Sequence, residues 1–268
     1  MSDPTPTPGP SVVADLAAAP SAATTAAIPD EAMARAKQAL YSRWQEPPRS
    51  LMTTRTIEMR RLADSMRIII ERLVATAAPT EDIIDAADEL ARVALRFDRL
   101  RPDGTVYEGH AEAATAGGDA RASFEHSPFI GKANPLAPPI SLQELEGKVH
   151  GRAFFGSAYE GPPGCVHGGY IAGAFDELLG ATQSLSGQPG MTGTLTVVYR
   201  SPTPLHAELH FVGELIGVEG RKIFTKGSLF AGSRLCAEAN ATFISIDFAK
   251  FAELKAAREA AEQTRLTG

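Results

Sequence analysis

The sequence predicts an α+β fold, a curved antiparallel sheet wrapped around one long helix, with a helical extension ahead of it. Three observations carry that expectation. The second half of the 268-residue chain is a succession of strand-like segments separated by turn dipeptides. A single helical pattern interrupts those strands. No repeated βαβ unit appears, which disfavours a doubly wound parallel sheet.

In chain order, ISLQELEG and KVHGRAFFGSAYEG read as two strands meeting at the Glu146–Gly147 turn. One helix is expected from about Gly168 to Ser184. GTLTVVYRS, LHAELHFVGELIGVEG, RKIFTKGSLFAGS and LCAEANATFISIDF then read as strands, with tight turns marked by Glu219–Gly220 and Ala231–Gly232. Nearer the N-terminus, Leu62, Met66, Ile69 and Leu73 recur at helical spacing until Pro79 breaks the pattern. Thr80 is placed to cap a second helix, with Glu81 and Asp82 at its positive end and an apolar stripe of Ile83, Ala87, Leu90 and Phe97. The pair reads as a hairpin whose stripes cover the rest of the chain, or else a partner. The expected organisation is a disordered Pro/Ala-rich tail over 1–29, the helical extension over 30–100 and a linker over 101–125. The sheet-and-helix domain follows over 126–250, then a surface helix over 251–268.

Composition narrows the function classes. A net charge of −6 argues against nucleic-acid binding, which needs a basic footprint. No run of eighteen apolar residues suggests a membrane span, and no Lys or Arg precedes Arg35, as a cleaved secretory leader would require. Cys165 and Cys236 form no C-x-x-C pair, which fits a reducing cytoplasm and disfavours zinc. Cys165 reads as a small buried filler rather than a nucleophile. His206 and His210 fall on the same side of a predicted strand but lack a third ligand, so no metal is expected.

The chemistry concentrates in YEGPPGCVHGGYIAGAFDELLG, from Tyr159 to Gly180. A rigid Gly161–Pro162–Pro163–Gly164 turn delivers His167 to the start of the helix. There Gly168 and Gly169 leave unpaired N–H groups open to a ligand oxygen, as a developing oxyanion requires. Taken alone, H-G-G reads equally well as a helix start packed close against a strand. Asp176 shifts that balance, because it shares a helix face with the small residues Gly169, Ala172, Gly173 and Gly180, while Ile171, Phe175 and Leu178 form the apolar face. Gly168 and Asp176 are eight residues apart, about 12 Å along the axis, too far to act on one carbonyl within hydrogen-bond reach of about 3 Å. Acting together, they must come from two copies of the chain, which implies a two-fold dimer with shared sites.

This stretch, with MTGTLTVVYRSPTPL after it, resembles the hotdog-fold acyl-CoA thioesterases of the hydroxybenzoyl-CoA and phenylacetate-pathway type. It is nearest the long-chain acyl-CoA branch, with E-G-P-P-G before H-G-G. The likeness runs from about Asn134 to Phe248. It implies an acyl-CoA substrate and no cofactor; the dimer either stands alone or pairs further into a tetramer. It also implies roles: Gly168 N–H polarises the thioester carbonyl, His167 orients that helix end or touches substrate, and Gly169 binds substrate. Asp176 from the other subunit serves as base or nucleophile, and Thr192 positions the attacking water. Some relatives carry Asn at the position of Gly161, where Glu160 or a water would have to substitute. Arg200, Arg221, Lys222 and Lys226 suit coenzyme A phosphates or plain strand-end charge; the resemblance favours Arg221 and Lys222. A hydratase or dehydratase on the same fold and a non-catalytic dimer that binds an acyl ligand are the alternatives.

Overall fold

The computed structural model describes residues 52–98, 125–188 and 190–245. The expected tail over 1–29, the first part of the helical extension over 30–51, the linker over 101–124 and the surface helix over 251–268 lie outside the described residues. Three α-helices are described: α1 (Thr54–Val74), α2 (Thr80–Ala94) and α3 (Gly168–Gln183). Six strands, β1 (Ser141–Leu145), β2 (Lys148–Phe154), β3 (Gly190–Tyr199), β4 (Glu208–Glu219), β5 (Lys222–Ala231) and β6 (Arg234–Ser245), form one sheet. Its order is β1-β2-β4-β5-β6-β3, with every neighbouring pair antiparallel. This is the hotdog arrangement, a curved sheet around a single long helix.

The hairpins follow local backbone preference. Glu146 and Gly147 both have positive φ, 52° and 75°, as a two-residue turn matched to strand twist demands. The other two hairpin loops are Gly220–Arg221 and Gly232–Ser233, one residue later than expected, so Arg221 sits in a loop.

Helix α3 lies in the concave face of the sheet. Ile171, Phe175, Leu178 and Leu179 are buried, and each contributes roughly 1.5–3 kcal/mol through removal from water. The sheet admits the helix because a row of small residues runs beneath it. Register aligns Val149, Gly213, Gly227, Ala239 and Val197 across five strands. A methyl group at Gly213 would overlap Thr182 Oγ1, and one at Gly227 would sit 3.0 Å from the Phe175 ring. Phe175 also meets Phe211 edge to face, with ring centroids 5.4 Å apart.

The helical extension departs from the sequence pattern. Helix α1 docks through a charged face rather than through its apolar stripe. Arg60 forms a part-buried ion pair with Glu125 (Nε–Oε2 2.9 Å), and Arg67 donates to the carbonyls of Lys132 and Asn134. Glu71 accepts from the backbone N–H groups of Ser157 and Ala158, and Ala63 is buried between these contacts. Residues 60, 67 and 71 share one helix face. Met66, Ile69 and Leu73 point away from it and are exposed, Leu73 by 59%. In α2 every residue is exposed, its stripe of Ile83, Ala87 and Leu90 included, so the expected covering role is not fulfilled among the described residues. Thr80 is the first residue of α2 and not its cap; Pro79 holds the cap position without a side-chain bond. None of the helices among the described residues is long and apolar enough to cross a membrane.

Two outcomes test this packing. Phe175→Ala is expected to cost about 3–5 kcal/mol, read from the denaturation midpoint in urea, because the ring leaves a cavity between helix and sheet. Partial burial pushes the Glu71 carboxyl up, but hydrogen bonds from Ser157 and Ala158 and the charge of His206 outweigh it and leave the group below its ordinary value of 4.5. A depressed folded value stabilises the docked helix above the unfolded pKa and loses that contribution as pH falls through the folded one. Acidification below about 4.5 should therefore loosen α1, seen as faster proteolysis within 54–74, and Glu71→Gln should remove that dependence.

Candidate active site

The N-terminus of α3 is shaped by its cap. His167 has extended backbone angles (φ −61°, ψ 133°), and its Nδ1 accepts from Gly169 N at 3.0 Å, which leaves the ring proton of a neutral imidazole on Nε2. The N–H groups of Tyr170 and Ile171 go to the His167 carbonyl at 3.0 and 3.3 Å. Of the amides in the first turn, Gly168 N–H alone has no acceptor among the described residues. This corrects the expectation that both glycine amides are open: Gly169 N–H is taken by His167. Nor is the space of its missing side chain open, since a Cβ at Gly169 would press within 3.1 Å of His167 Nδ1.

The turn ahead of the helix explains the departure at Gly161. A Cβ there would lie 2.7 Å from His167 Cα, so this chain has no room for an Asn-like side chain. Nor does Glu160 replace it. Its carboxylate accepts from Gly164 N at 2.6 Å and locks the turn in which Gly164 adopts φ +73°. Cys165 is half-buried beside this turn, with Sγ 3.6 Å from Pro163 O.

Two turns along α3, Asp176 is exposed, and its Oδ1 accepts from Thr192 Oγ1 at 2.8 Å. A β-bulge makes that bond possible. Thr192 pairs with Phe243 and Thr194 with Thr242, so Gly193 is the extra residue, and the inward-facing positions switch from even to odd numbers. Thr192 before the bulge and Leu195, Val197 and Tyr199 after it all face the helix side. Sequence alternation alone would have set Thr192 and Tyr199 on opposite faces.

Tyr199 is a residue of the candidate site that the sequence did not mark. Its hydroxyl donates to Gly168 O at 2.8 Å, and a methyl on Gly168 would press within 3.2 Å of that oxygen. The same edge strand thus touches α3 at Asp176 through Thr192 and at Gly168 through Tyr199. The face of small residues is divided. The Phe129 ring of the same chain lies where a Gly173 side chain would be, and Ser127 Oγ donates to Glu177 at 2.7 Å, whereas nothing approaches Gly180 within 4 Å. Asp176 therefore lies on the uncovered part.

The remaining candidates scatter. Arg221 is exposed in the β4–β5 loop and donates to Ser245 O at 3.1 and 3.3 Å. Lys222 is exposed on the sheet face opposite α3, since its neighbour Ile223 faces the core. Arg200 pairs with Glu238 at 2.8 Å, and Lys226 projects from the outer face beside Glu214. His206 has φ +54° and precedes β4, so it shares no strand face with His210. Its Nε2 lies 3.1 Å from Ser157 Oγ, while His210 contacts His150 at 3.1 Å. Burial pushes the His210 imidazole down, as do His150 and Arg152. A cavity of about 780 Å3 opens between α1 and β2, with Ile68, Pro138, Phe154 and Tyr159 in its walls; neither Asp176 nor Thr192 lines it.

No model of a known protein family matches the chain. Curated relatives do. The acyl-coenzyme A thioesterase THEM4 of Xenopus laevis is 39% identical over 93 residues, covering 34% of this chain and 42% of the relative. That of Mus musculus is 32% identical over 126 residues, 46% of this chain and 49% of the relative. The chain thus matches less than half the length of either relative. A crystal structure of a thioesterase superfamily protein aligns over 75% of this chain and 98% of its own, with 32% identity and a TM-score of 0.63. With that coverage and identity, the chain belongs to the thioesterase superfamily.

Proposed function

We propose that the protein is an acyl-CoA thioesterase, hydrolysing an acyl-CoA thioester to free acid and coenzyme A at sites shared by two copies of the chain. The observation that carries this reading is the division of one helix into a free backbone donor at its start and a hydrogen-bonded carboxylate two turns on. Two further features favour two copies. Gly168 and Asp176 are about 12 Å apart along α3, so one chain cannot apply both to one carbonyl. Strand β3 is one of the two sheet edges and the longer, ten residues against five in β1, with Met191, Val198 and Tyr199 exposed along it. Antiparallel pairing of that edge with its symmetry mate brings the Thr192 end of one strand to the Tyr199 end of the other. Asp176 of one protomer then stands near Gly168 of its partner, twice per dimer.

In this mechanism the thioester oxygen takes the hydrogen bond from Gly168 N–H, reinforced by the helix dipole, and one such donor is worth about 3 kcal/mol in the transition state. His167 holds the donor in place by occupying the adjacent amide. Thr192 donates to Oδ1 of Asp176, which fixes the carboxylate and leaves Oδ2 to draw a proton from water. Water attacks the carbonyl carbon, the C–S bond breaks, and coenzyme A leaves as the thiol. Arg221 and Lys222 serve the coenzyme A phosphates where that tail rounds the β4–β5 end of the sheet.

A panel of acyl-CoA esters assayed for free thiol tests the reaction. Thiol release is expected; consumption of an enoyl-CoA without thiol would replace this reading with a hydratase, and binding without either would replace it with a ligand-binding dimer. Asp176→Asn should lower kcat roughly 10²–10⁴-fold without altering the far-ultraviolet dichroism or the dimer mass. Thr192→Val removes a hydrogen bond to a charged group, worth about 1.5–3 kcal/mol, and should slow kcat about 10–100-fold.

A further inference from the structure

We propose that Glu71, on the helical extension, is a positioning residue for the active helix. It pins the turn over Ser157–Tyr159, which in turn fixes His167 and the direction of Gly168 N–H. The inference rests on the thioesterase reading for its catalytic consequence, but its structural core stands on contacts within one chain.

The links are continuous. Glu71 Oε1 lies 3.0 Å from Ser157 N, and Oε2 lies 3.4 Å from Ala158 N. The single turn Ser157–Tyr159 closes through Tyr159 N to Gly156 O at 3.1 Å and Glu160 N to Ser157 O at 3.2 Å. Tyr159 then makes the next connection twice over. Its carbonyl accepts from His167 N at 2.9 Å, and its ring meets Tyr170, in the first turn of α3, edge to face at 4.8 Å. His167 is the cap whose ring holds Gly169 N, so a displaced Tyr159 carbonyl moves the cap and the free Gly168 amide with it.

Helix α1 holds Tyr159 from a second side. The tyrosine hydroxyl donates to Leu136 O at 3.2 Å, in the segment whose Lys132 and Asn134 carbonyls take Arg67. Burial and the neighbouring Tyr170 push the Tyr159 hydroxyl up to about 12, so it stays a donor at neutral pH. Gly156 completes the device. A methyl at that position would overlap the Glu71 carboxylate, so the glycine keeps open the space in which the carboxylate meets the turn. Glu71 touches no reacting atom, and its effect on the chemistry travels through Tyr159 and His167.

The test uses the full chain, an acyl-CoA substrate with thiol detection, and amide hydrogen exchange. Glu71→Ala is expected to lower kcat about tenfold with KM within about twofold, because a misaimed donor costs the transition state and not ground-state binding. Exchange at the amides of Ser157, Ala158 and His167 should quicken. Gly156→Ala should reproduce both effects by displacing the carboxylate, and should add nothing in the Glu71→Ala background. Glu71→Gln, which keeps one acceptor oxygen, should fall between and serves if the alanine variant does not fold. Unchanged kcat in the single variants, or losses that simply add in the double variant, would overturn the proposal. If the wild type releases no thiol, the thioesterase reading fails by itself. Exchange at His167 N still decides this one, faster in Glu71→Ala in its favour and unchanged against it.

Discussion

Everything in the domain depends on how closely α3 can approach the sheet. The row from Val149 through Gly213, Gly227 and Ala239 to Val197 has almost no side-chain height at its centre, so Phe175, Leu178 and Leu179 drop into the sheet rather than resting above it. Larger residues there would lift the helix and cost the dispersion contacts and buried area that hold it. Once seated, α3 has one face committed to the core and, on the opposite one, Asp176 on the part that Phe129 leaves uncovered. Its N-terminus is left at the surface with His167 as cap. The site is what remains of the helix after its packing is satisfied.

The second constraint is the single extra residue at Gly193. A strand with strict alternation cannot aim both Thr192 and Tyr199 at the same helix, because their numbers differ by an odd count. The bulge corrects the parity inside the edge strand, and the same element thereby steadies the carboxylate of Asp176 and the carbonyl of Gly168. An edge position also suits this job, since a bulge is tolerated where the strand has a neighbour on one side only.

The helical extension shows how charge can dock a helix that periodicity assigns to a hydrophobic role. Arg60, Arg67 and Glu71 find a carboxylate, backbone carbonyls and backbone amides respectively, each partner lying in an irregular segment that has no ladder to satisfy it. Such groups are costly to leave unpaired near a protein surface, and long charged side chains reach them without deep burial. The apolar stripe of Met66, Ile69 and Leu73 is consequently turned outward.

Much of the architecture was legible in the residues. Alternation and turn dipeptides located five of the six strands to within about three positions, while the second ends at Phe154 rather than Gly161 because the chain leaves the sheet for the Ser157–Tyr159 turn; H-G-G followed by Asp176 on the small-residue face marked the helix that carries the candidate site. These are local properties, set by side-chain period and by the φ that glycine allows. Three features came only from the folded structure. Tyr199 reaches Gly168 because a bulge re-aims it, Gly169 loses its amide to the His167 ring, and Phe129 covers Gly173 from a segment about forty residues away. The first and the last are meetings between distant parts of the chain, decided by packing geometry that no spacing along the sequence encodes, whereas the His167–Gly169 bond is a local contact set by how the cap's ring is turned. The sequence by itself determined which helix carries the candidate site; the tertiary structure decided which of its groups remain free there.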